Sequence, residues 1–385
     1  MPNFPIKILS MKIKKIALLL SFLIFTSLYS QKQFVFFGSY NWEKVSEAVY
    51  VYELDMESGK LTKVTSSSDV INPGYITISP NGKYIYASSD AKTPNYGTVS
   101  SFAFDADKKT LTFLNQQKTG GENPVYVNVD KNGKWLINAT YNQATISIFP
   151  LLENGKIDSI AQHFTFTEGS GVDAKRQEKA HTHSVVFTPD SKTVLFADLG
   201  ADKILQYPFD ANQKQPLIDS QSTFINTKPG SGPRHITFSK DGKLVYSIEE
   251  LAGMISVYDF SDNKLKEIQR IATHPDKIKE GFESSDVHIS PDGEFLYATN
   301  RGKENNIAIF KVLNDGKLES IGYQKTGGKH PRTFAIDETG KFIIVTNVIS
   351  QDVTVFKRNL ETGMLKKIGK PVKIKNVTCV KTKMY

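Results

Sequence analysis

The 385-residue chain has one cysteine, Cys379, which excludes a disulfide framework and leaves no thiol near the N-terminus for lipid attachment. It has no basic stripe either: its lysines are scattered through turns, so nucleic-acid binding, which needs a gathered positive patch, is not expected. No EF-hand loop, Walker A loop or dinucleotide-binding fingerprint is present. Long apolar runs are missing with one exception, Ile16 to Phe25, and that run is shorter than the roughly 20 residues a bilayer span requires.

That exception has a context. In "MKIKKIALLLSFLIFTSLYS" a lysine-rich start precedes the apolar run, and small or polar residues follow it before Gln31. This is the layout of a secretory leader over residues 1–30, initiating at Met11 and cleaved near Ser30. An exported protein, periplasmic or extracellular and without a stable membrane anchor after cleavage, is the expectation. The formal charge of +8 comes from 48 basic and 40 acidic residues; Lys7, Lys12, Lys14 and Lys15 leave with the leader, which brings the mature chain close to neutrality.

What remains, residues 31–385, is rich in strand-forming aromatics, with 24 Phe and 16 Tyr in the whole chain, enough for a packed core. Aligning its Asp/Asn-Gly turns exposes a repeat: "NPGYITISPNGKYIYASSD", "NPVYVNVDKNGKWLINATY", "HTHSVVFTPDSKTVLFADL", "GPRHITFSKDGKLVYSIEE", "SSDVHISPDGEFLYATNR" and "KHPRTFAIDETGKFIIVTN". The turn residues Gly82, Gly133, Ser191, Gly242, Gly293 and Gly340 recur about every fifty residues, and each hairpin is followed by a third strand such as "TVSSFAFD" or "NIAIFKV" and a fourth such as "KTLTFLNQ". Four strands per unit at that period predict an all-β fold, a β-propeller of four-stranded antiparallel blades.

Six hairpins do not complete the ring. The mature N-terminus supplies "FVFFGSY", "AVYVYELD" and "KLTKVTS" but lacks a first strand, whereas the C-terminal "NVTCVKTK" matches a first strand with nothing after it. Pairing the two ends makes a seventh blade, closes the ring and removes two aggregation-prone edges. The Asp-Gly and Asn-Gly pairs are thereby explained as hairpin turns, not as calcium ligands.

The repeat separates structural residues from functional ones, because structural residues recur at one offset and functional ones break the pattern. Eight residues before each turn residue stand Gly74, Val125, His183, Arg234, Ser285 and Arg332; eight after stand Asp90, Tyr141, Leu199, Glu250, Arg301 and Val348. Both offsets lie at the open ends of the hairpins, so His183, Arg234, Glu250, Arg301 and Arg332 are expected to converge on one mouth of the central channel. Taken singly, an Arg facing a Glu there is only a rim ion pair worth less than about 1 kcal/mol. As a set in a concave site, these charges point to function.

His181 and His183 alternate along a strand, as do Asp286 and His288. Two such pairs resemble zinc ligands, but no third ligand is fixed and the blades are not adjacent, so no metal and no other cofactor is expected.

The pattern resembles the seven-bladed propeller lactonases, a family with a 6-phosphogluconolactonase branch and a branch of carboxy-cis,cis-muconate cyclases. The resemblance covers essentially the whole mature chain and is carried by "HTHS" at 181–184, "GPRH" at 232–235, "EEL" at 249–251, "SSDVHISPDGEFLYATNRG" at 284–302 and "KHPRTFAID" at 329–337. It implies a lactone hydrolase acting on an anionic lactone, with His183, Glu250, Arg234 and Arg301 catalytic. Arg332 joins them from the repeat register, and Arg332, His181, His235 and Asp286 are assigned to substrate binding. A cytosolic sugar-phosphate lactone fits poorly with an export leader, so the sugar is left open. A lactone-forming cyclase using the same residues in reverse, or a propeller that only binds a partner at this mouth, are the competing readings. A monomer with a small-molecule partner is expected.

Overall fold

A computed structural model of the protein describes residues 31–41, 46–90 and 96–385; the expected leader lies outside the described residues. Each short apolar segment of the repeat forms a strand. Inner strands Pro73–Ile78, Pro124–Val129, Thr182–Phe187, Pro233–Phe238, Ser284–Ile289, Pro331–Ile336 and Val377–Met384 head blades 1 to 7. Each packs beside the next and the last packs beside the first, so the seven four-stranded antiparallel sheets form a closed ring.

Burial follows position in the blade. Second strands such as Trp135–Thr140, Phe295–Asn300 and Phe342–Asn347 are buried along their whole length, because sheets stack on both of their faces. Outer strands such as Thr110–Lys118 and Leu365–Lys373 are mostly exposed or half-buried, because nothing among the described residues covers the rim of the blade. The hairpin turns hold themselves: in blade 4, Asp241 Oδ1 accepts from Ser239 Oγ at 2.7 Å and from the Lys243 amide at 3.1 Å, and Gly242 takes the left-handed φ of 73° the turn requires.

The expected seventh blade forms as anticipated. Val377–Met384 pairs antiparallel with Gln33–Ser39 in the register Phe37↔Val380, and Val49–Leu54 and Leu61–Ser67 complete the sheet. Tyr385 then clasps the closure: its amide donates to the Lys32 carbonyl at 2.9 Å, and its ring meets those of Phe34 and Phe104 edge-on at 5.4 and 5.5 Å. Each such aromatic pair adds roughly 0.5–1.5 kcal/mol beyond the area it buries.

One irregularity positions the site. In every blade the inner strand slips register against the second strand near its start, and the residue passed over is Gly74, Val125, His183, Arg234, Arg332 or Thr378, or in blade 5 the pair Ser285 and Asp286. A residue in a β-bulge is released from the alternation of the pleat and its side chain is re-aimed. Just beyond, the second strand closes the hairpin by a backbone bond, from Glu250 to Gly232 at 2.8 Å, from Arg301 to Glu283 at 3.0 Å and from Tyr141 to Asn123 at 2.8 Å. The two offsets picked from the sequence are therefore the bulge and the closing residue of each blade.

Candidate active site

Arg234 and Glu250 do meet, and not as a rim pair. Arg234 Nε lies 2.7 Å from Glu250 Oε2, with the two side chains only 1 % and 4 % exposed. Arg301 of blade 5 reaches the same oxygen at 2.9 Å, and Arg176, from the connection between blades 2 and 3, binds Oε1 at 2.6 Å. Burial alone would raise the Glu250 carboxyl, but Arg301, Arg234 and Arg176 outweigh it and hold the group far below the usual carboxylate range. Its neighbour Glu249 faces away from this cluster and accepts from Arg270, at Oε2 from Nη2 at 2.6 Å and at Oε1 from Nε at 3.2 Å, a structural contact inside blade 4.

Arg234 is held from three directions: besides Glu250, its Nη1 contacts the Ser285 carbonyl and lies 3.1 Å from His235 Nε2. His235 Nδ1 pairs with Asp286 Oδ1 at 2.7 Å, and Asp286 Oδ2 pairs with His288 Nε2 at 3.1 Å. Burial and then the Arg234 charge push the His235 imidazole down to about 3, so it is neutral. Asp286, which burial alone would raise, is held well below the carboxylate range by His288 and His235.

His183 stands beside this set, its ring 5.3 Å from that of His235 and 5.7 Å from that of Tyr141. It is buried, and its Nδ1 has no hydrogen-bond partner among the described residues. Burial, Arg234, His235 and Arg332 drive its pKa well below the ordinary histidine value, so the imidazole is neutral at pH 7. Arg332 is partly exposed and makes no ion pair or hydrogen bond among the described residues, while its charge bears on His183, Arg234 and His330. His181 does not join them. Its ring stacks on Tyr141 at 4.3 Å, with Nδ1 2.8 Å from the Tyr141 carbonyl and Nε2 3.2 Å from Glu178.

Of the residues singled out from the sequence, His183, Arg234, Glu250, Arg301, His235 and Asp286 are thus brought into one array, Arg332 lies within its field, and His181 supports Tyr141. Three more belong here. Tyr141 occupies the same closing offset as Glu250 and accepts from Arg176 Nε at 3.1 Å. His330, whose imidazole burial and then Arg301 push down to about 4, precedes Arg332 by two residues. Arg176 had only an indirect signal, the long step from Gly133 to Ser191, which makes room for an extra loop. That loop is anchored by buried Gln177, which donates to the Leu199 carbonyl at 2.9 Å and to Asp202 at 2.7 Å.

Three guanidiniums therefore surround one carboxylate, Glu250, and a fourth, Arg332, bears with Arg234 on a neutral imidazole with a spare nitrogen. Such an array can bind an anion and move a proton. Among the described residues no group of three His, Cys, Asp or Glu side chains is placed to hold a metal ion. Grooves elsewhere, such as the 390 Å³ groove between blades 3 and 4 lined by Thr188, Asp190, Lys192, Asp241 and Lys243, sit on the turn side between blades. Similar grooves recur between blades 1 and 2 and between blades 4 and 5, which marks them as features of the repeat.

Residues 34–382 match the family model described as Lactonase, 7-bladed beta-propeller. The chain is 37 % identical over 87 % of its length to a 6-phosphogluconolactonase of Formosa agariphila, covering 95 % of that protein. It is 32 % identical over 87 % of its length to a 6-phosphogluconolactonase of Bacillus subtilis, covering 94 % of it. Among solved structures, the periplasmic gluconolactonase of Pseudomonas aeruginosa superposes with a TM-score of 0.85 at 29 % identity, over 92 % of this chain and 99 % of that one.

Proposed function

We propose, from the premise that this chain belongs to the seven-bladed β-propeller lactonase family, that it hydrolyses a sugar-derived lactone carrying an anionic group, and does so at the channel mouth. The observation that carries this reading is Arg332, a partly exposed guanidinium without an ion pair among the described residues, whose charge bears on His183, a buried imidazole whose Nδ1 has no hydrogen-bond partner among them either. Arginine offers five fixed donors to a carboxylate, a phosphate or a developing oxyanion, and stays charged.

His183 takes a proton from water, and the resulting hydroxide adds to the lactone carbonyl carbon. The negative oxygen that forms is paired by Arg332, while the partly exposed edge of Arg176 takes the anionic group of the substrate. On collapse the ring C–O bond breaks, and the departing alkoxide recovers the proton from the His183 imidazolium, giving the open hydroxy acid. Glu250 does not exchange protons in this scheme: it is ionised, and its oxygens are taken up by arginine. It orients Arg301 and Arg234. The low pKa of His183 makes it a weak base and its imidazolium a strong acid. An anion bound beside it offsets Arg332 and brings the imidazole toward its working range.

Residues 1–30 act as an export leader in this reading. The name of the Pseudomonas protein, a periplasmic gluconolactonase, supports that placement, and it sets gluconolactone, which is neutral, beside the anionic lactones as a substrate to be tested.

The test is hydrolysis of gluconolactone, 6-phosphogluconolactone and a carboxylated muconolactone by residues 31–385, followed with a pH indicator. Activity on at least one, lost about a hundredfold or more in His183→Ala with the fold intact, is expected. A folded protein inactive on all three moves the protein to the binding reading.

A further inference from the structure

We propose that Asp286 and His235 are positioning residues that fix the Arg234 guanidinium beneath Glu250, and are not substrate contacts. His235 and Asp286 are 2 % and 1 % exposed, and both ring nitrogens of the one and both carboxylate oxygens of the other are taken up within the protein, so neither is free to contact a substrate. What they do instead follows from the direction of each hydrogen bond.

An arginine N–H can only donate. His235 Nε2, 3.1 Å from Arg234 Nη1, is therefore the acceptor and carries no proton. The proton of the neutral ring then sits on Nδ1 and donates to Asp286 Oδ1 at 2.7 Å. Asp286 is itself fixed from two blades: Oδ1 accepts from the Val287 amide at 3.0 Å, and Oδ2 accepts from the Phe334 amide of blade 6 and from His288 Nε2, each at 3.1 Å. These contacts fix a single tautomer for His235, with Nε2 bare and Nδ1 protonated. Read from the interior outward, backbone amides hold the carboxylate, the carboxylate sets the tautomer and angle of His235, and His235 sets one end of the Arg234 guanidinium.

The bulges make this possible. Arg234 is the residue passed over in blade 4, and Asp286 lies in the irregular stretch of blade 5, so the same slip in neighbouring blades turns both side chains toward one another's strand. The Ser285 carbonyl, freed by that irregularity, takes Arg234 Nη1 as well. Arg234 in turn meets Glu250 with its Nε, and the His235 ring packs against His183. A shift of Asp286 is therefore felt at both Glu250 and His183.

The activity half of the test rests on the lactonase reading; the second half does not. Asp286→Asn and His235→Leu are each expected to lower kcat/KM by about a hundredfold, as a misplacement of about 1 Å does, and the double variant to be no worse than the worse single one. Losses that multiply in the double variant overturn the chain. His235→Gln keeps an oxygen able to accept from Arg234 and is expected to retain more activity than His235→Leu, so the idea is decided even if Asp286→Asn fails to fold; equal losses overturn it. Independently, the side-chain ¹⁵N–¹H signals of Arg234, assigned by their loss in Arg234→Lys, are expected to be sharp in the wild type and exchange-broadened in His235→Leu. Unchanged signals overturn the proposal. Broadening in a protein that opens no lactone leaves the positioning intact and removes the proposed function instead.

Discussion

His183 at a bulge and Glu250 at a closing position meet opposite fields, and their proposed roles divide accordingly. Glu250 is the counter-ion of three arginines, two of them buried, so removing its charge strands Arg234 and Arg301 in a site with little water. Glu250→Gln is expected to destabilise the protein by about 3–5 kcal/mol, read from the urea midpoint at constant slope. A loss under about 1 kcal/mol would return the pair to the class of rim salt bridges. His183 faces Arg234, Arg332, His235 and the Tyr141 ring, with no carboxylate bonded to it, so its protonated form is disfavoured. In the proposed scheme the neutral imidazole is the active form and its pKa is lowered, so kcat/KM is expected to stay flat from pH 8 down to 6.5 and to fall only at lower pH. For an anionic lactone the fall in kcat should begin at higher pH than that in kcat/KM, since the bound anion favours the imidazolium. An acid limb in kcat/KM at or above pH 6.5 would exclude His183 as the base. The sequence marked both residues, because breaking a repeat is a local signal; it left their roles open, because charge state depends on neighbours from other blades. The "EEL" motif shows the same division: the repeat register set Glu250 apart from Glu249, but only packing decides that Glu249 meets Arg270 and Glu250 meets Arg176, Arg234 and Arg301.

At the scale of elements, the hairpins and the loop between blades 2 and 3 contribute differently. Hairpins set the bulge and the closing residue by turn chemistry, so their open ends were legible from the spacing of the turn residues. The loop has no repeat partner. It delivers Arg176, whose side chain is 37 % exposed where those of Arg234 and Arg301 are 1 % and 8 %, and whose departure leaves Glu250 Oε2 still doubly paired. Arg176→Ala is therefore expected to leave the melting temperature nearly unchanged. It should raise KM for a phosphorylated or carboxylated lactone about tenfold or more, with little change for neutral gluconolactone, measured as initial rates on matched substrates; the loss corresponds to one exposed charge-assisted contact. An equal rise for charged and neutral lactones would limit Arg176 to orienting Glu250.

At the scale of the whole molecule, the ring is closed by hydrogen bonds between chain ends, so the last strand contributes out of proportion to its length. A chain ending at Lys375 loses Val377–Met384, the inner strand of blade 7, together with the Tyr385 clasp. It would expose one edge of Gln33–Ser39 and uncover the flanks of blades 1 and 6. This truncation is expected to aggregate or to melt at a much lower temperature, by size-exclusion chromatography and thermal unfolding, whereas a monomer of unchanged melting temperature would show that the velcro-like pairing is dispensable. The sequence by itself determined the strands, the turns, the number of blades, the closure and the open hairpin ends at which the candidate residues stand, because all of these follow from local period and from the need to pair every edge. Tertiary structure alone decided which of those residues are desolvated and which partners they take. Glu250 meets Arg176 from 74 residues away, and His235 meets Asp286 from 51 residues away. Those meetings depend on the angle between blades, the direction of each bulge and the exclusion of water, none of which leaves a trace in the order of residues along a single strand.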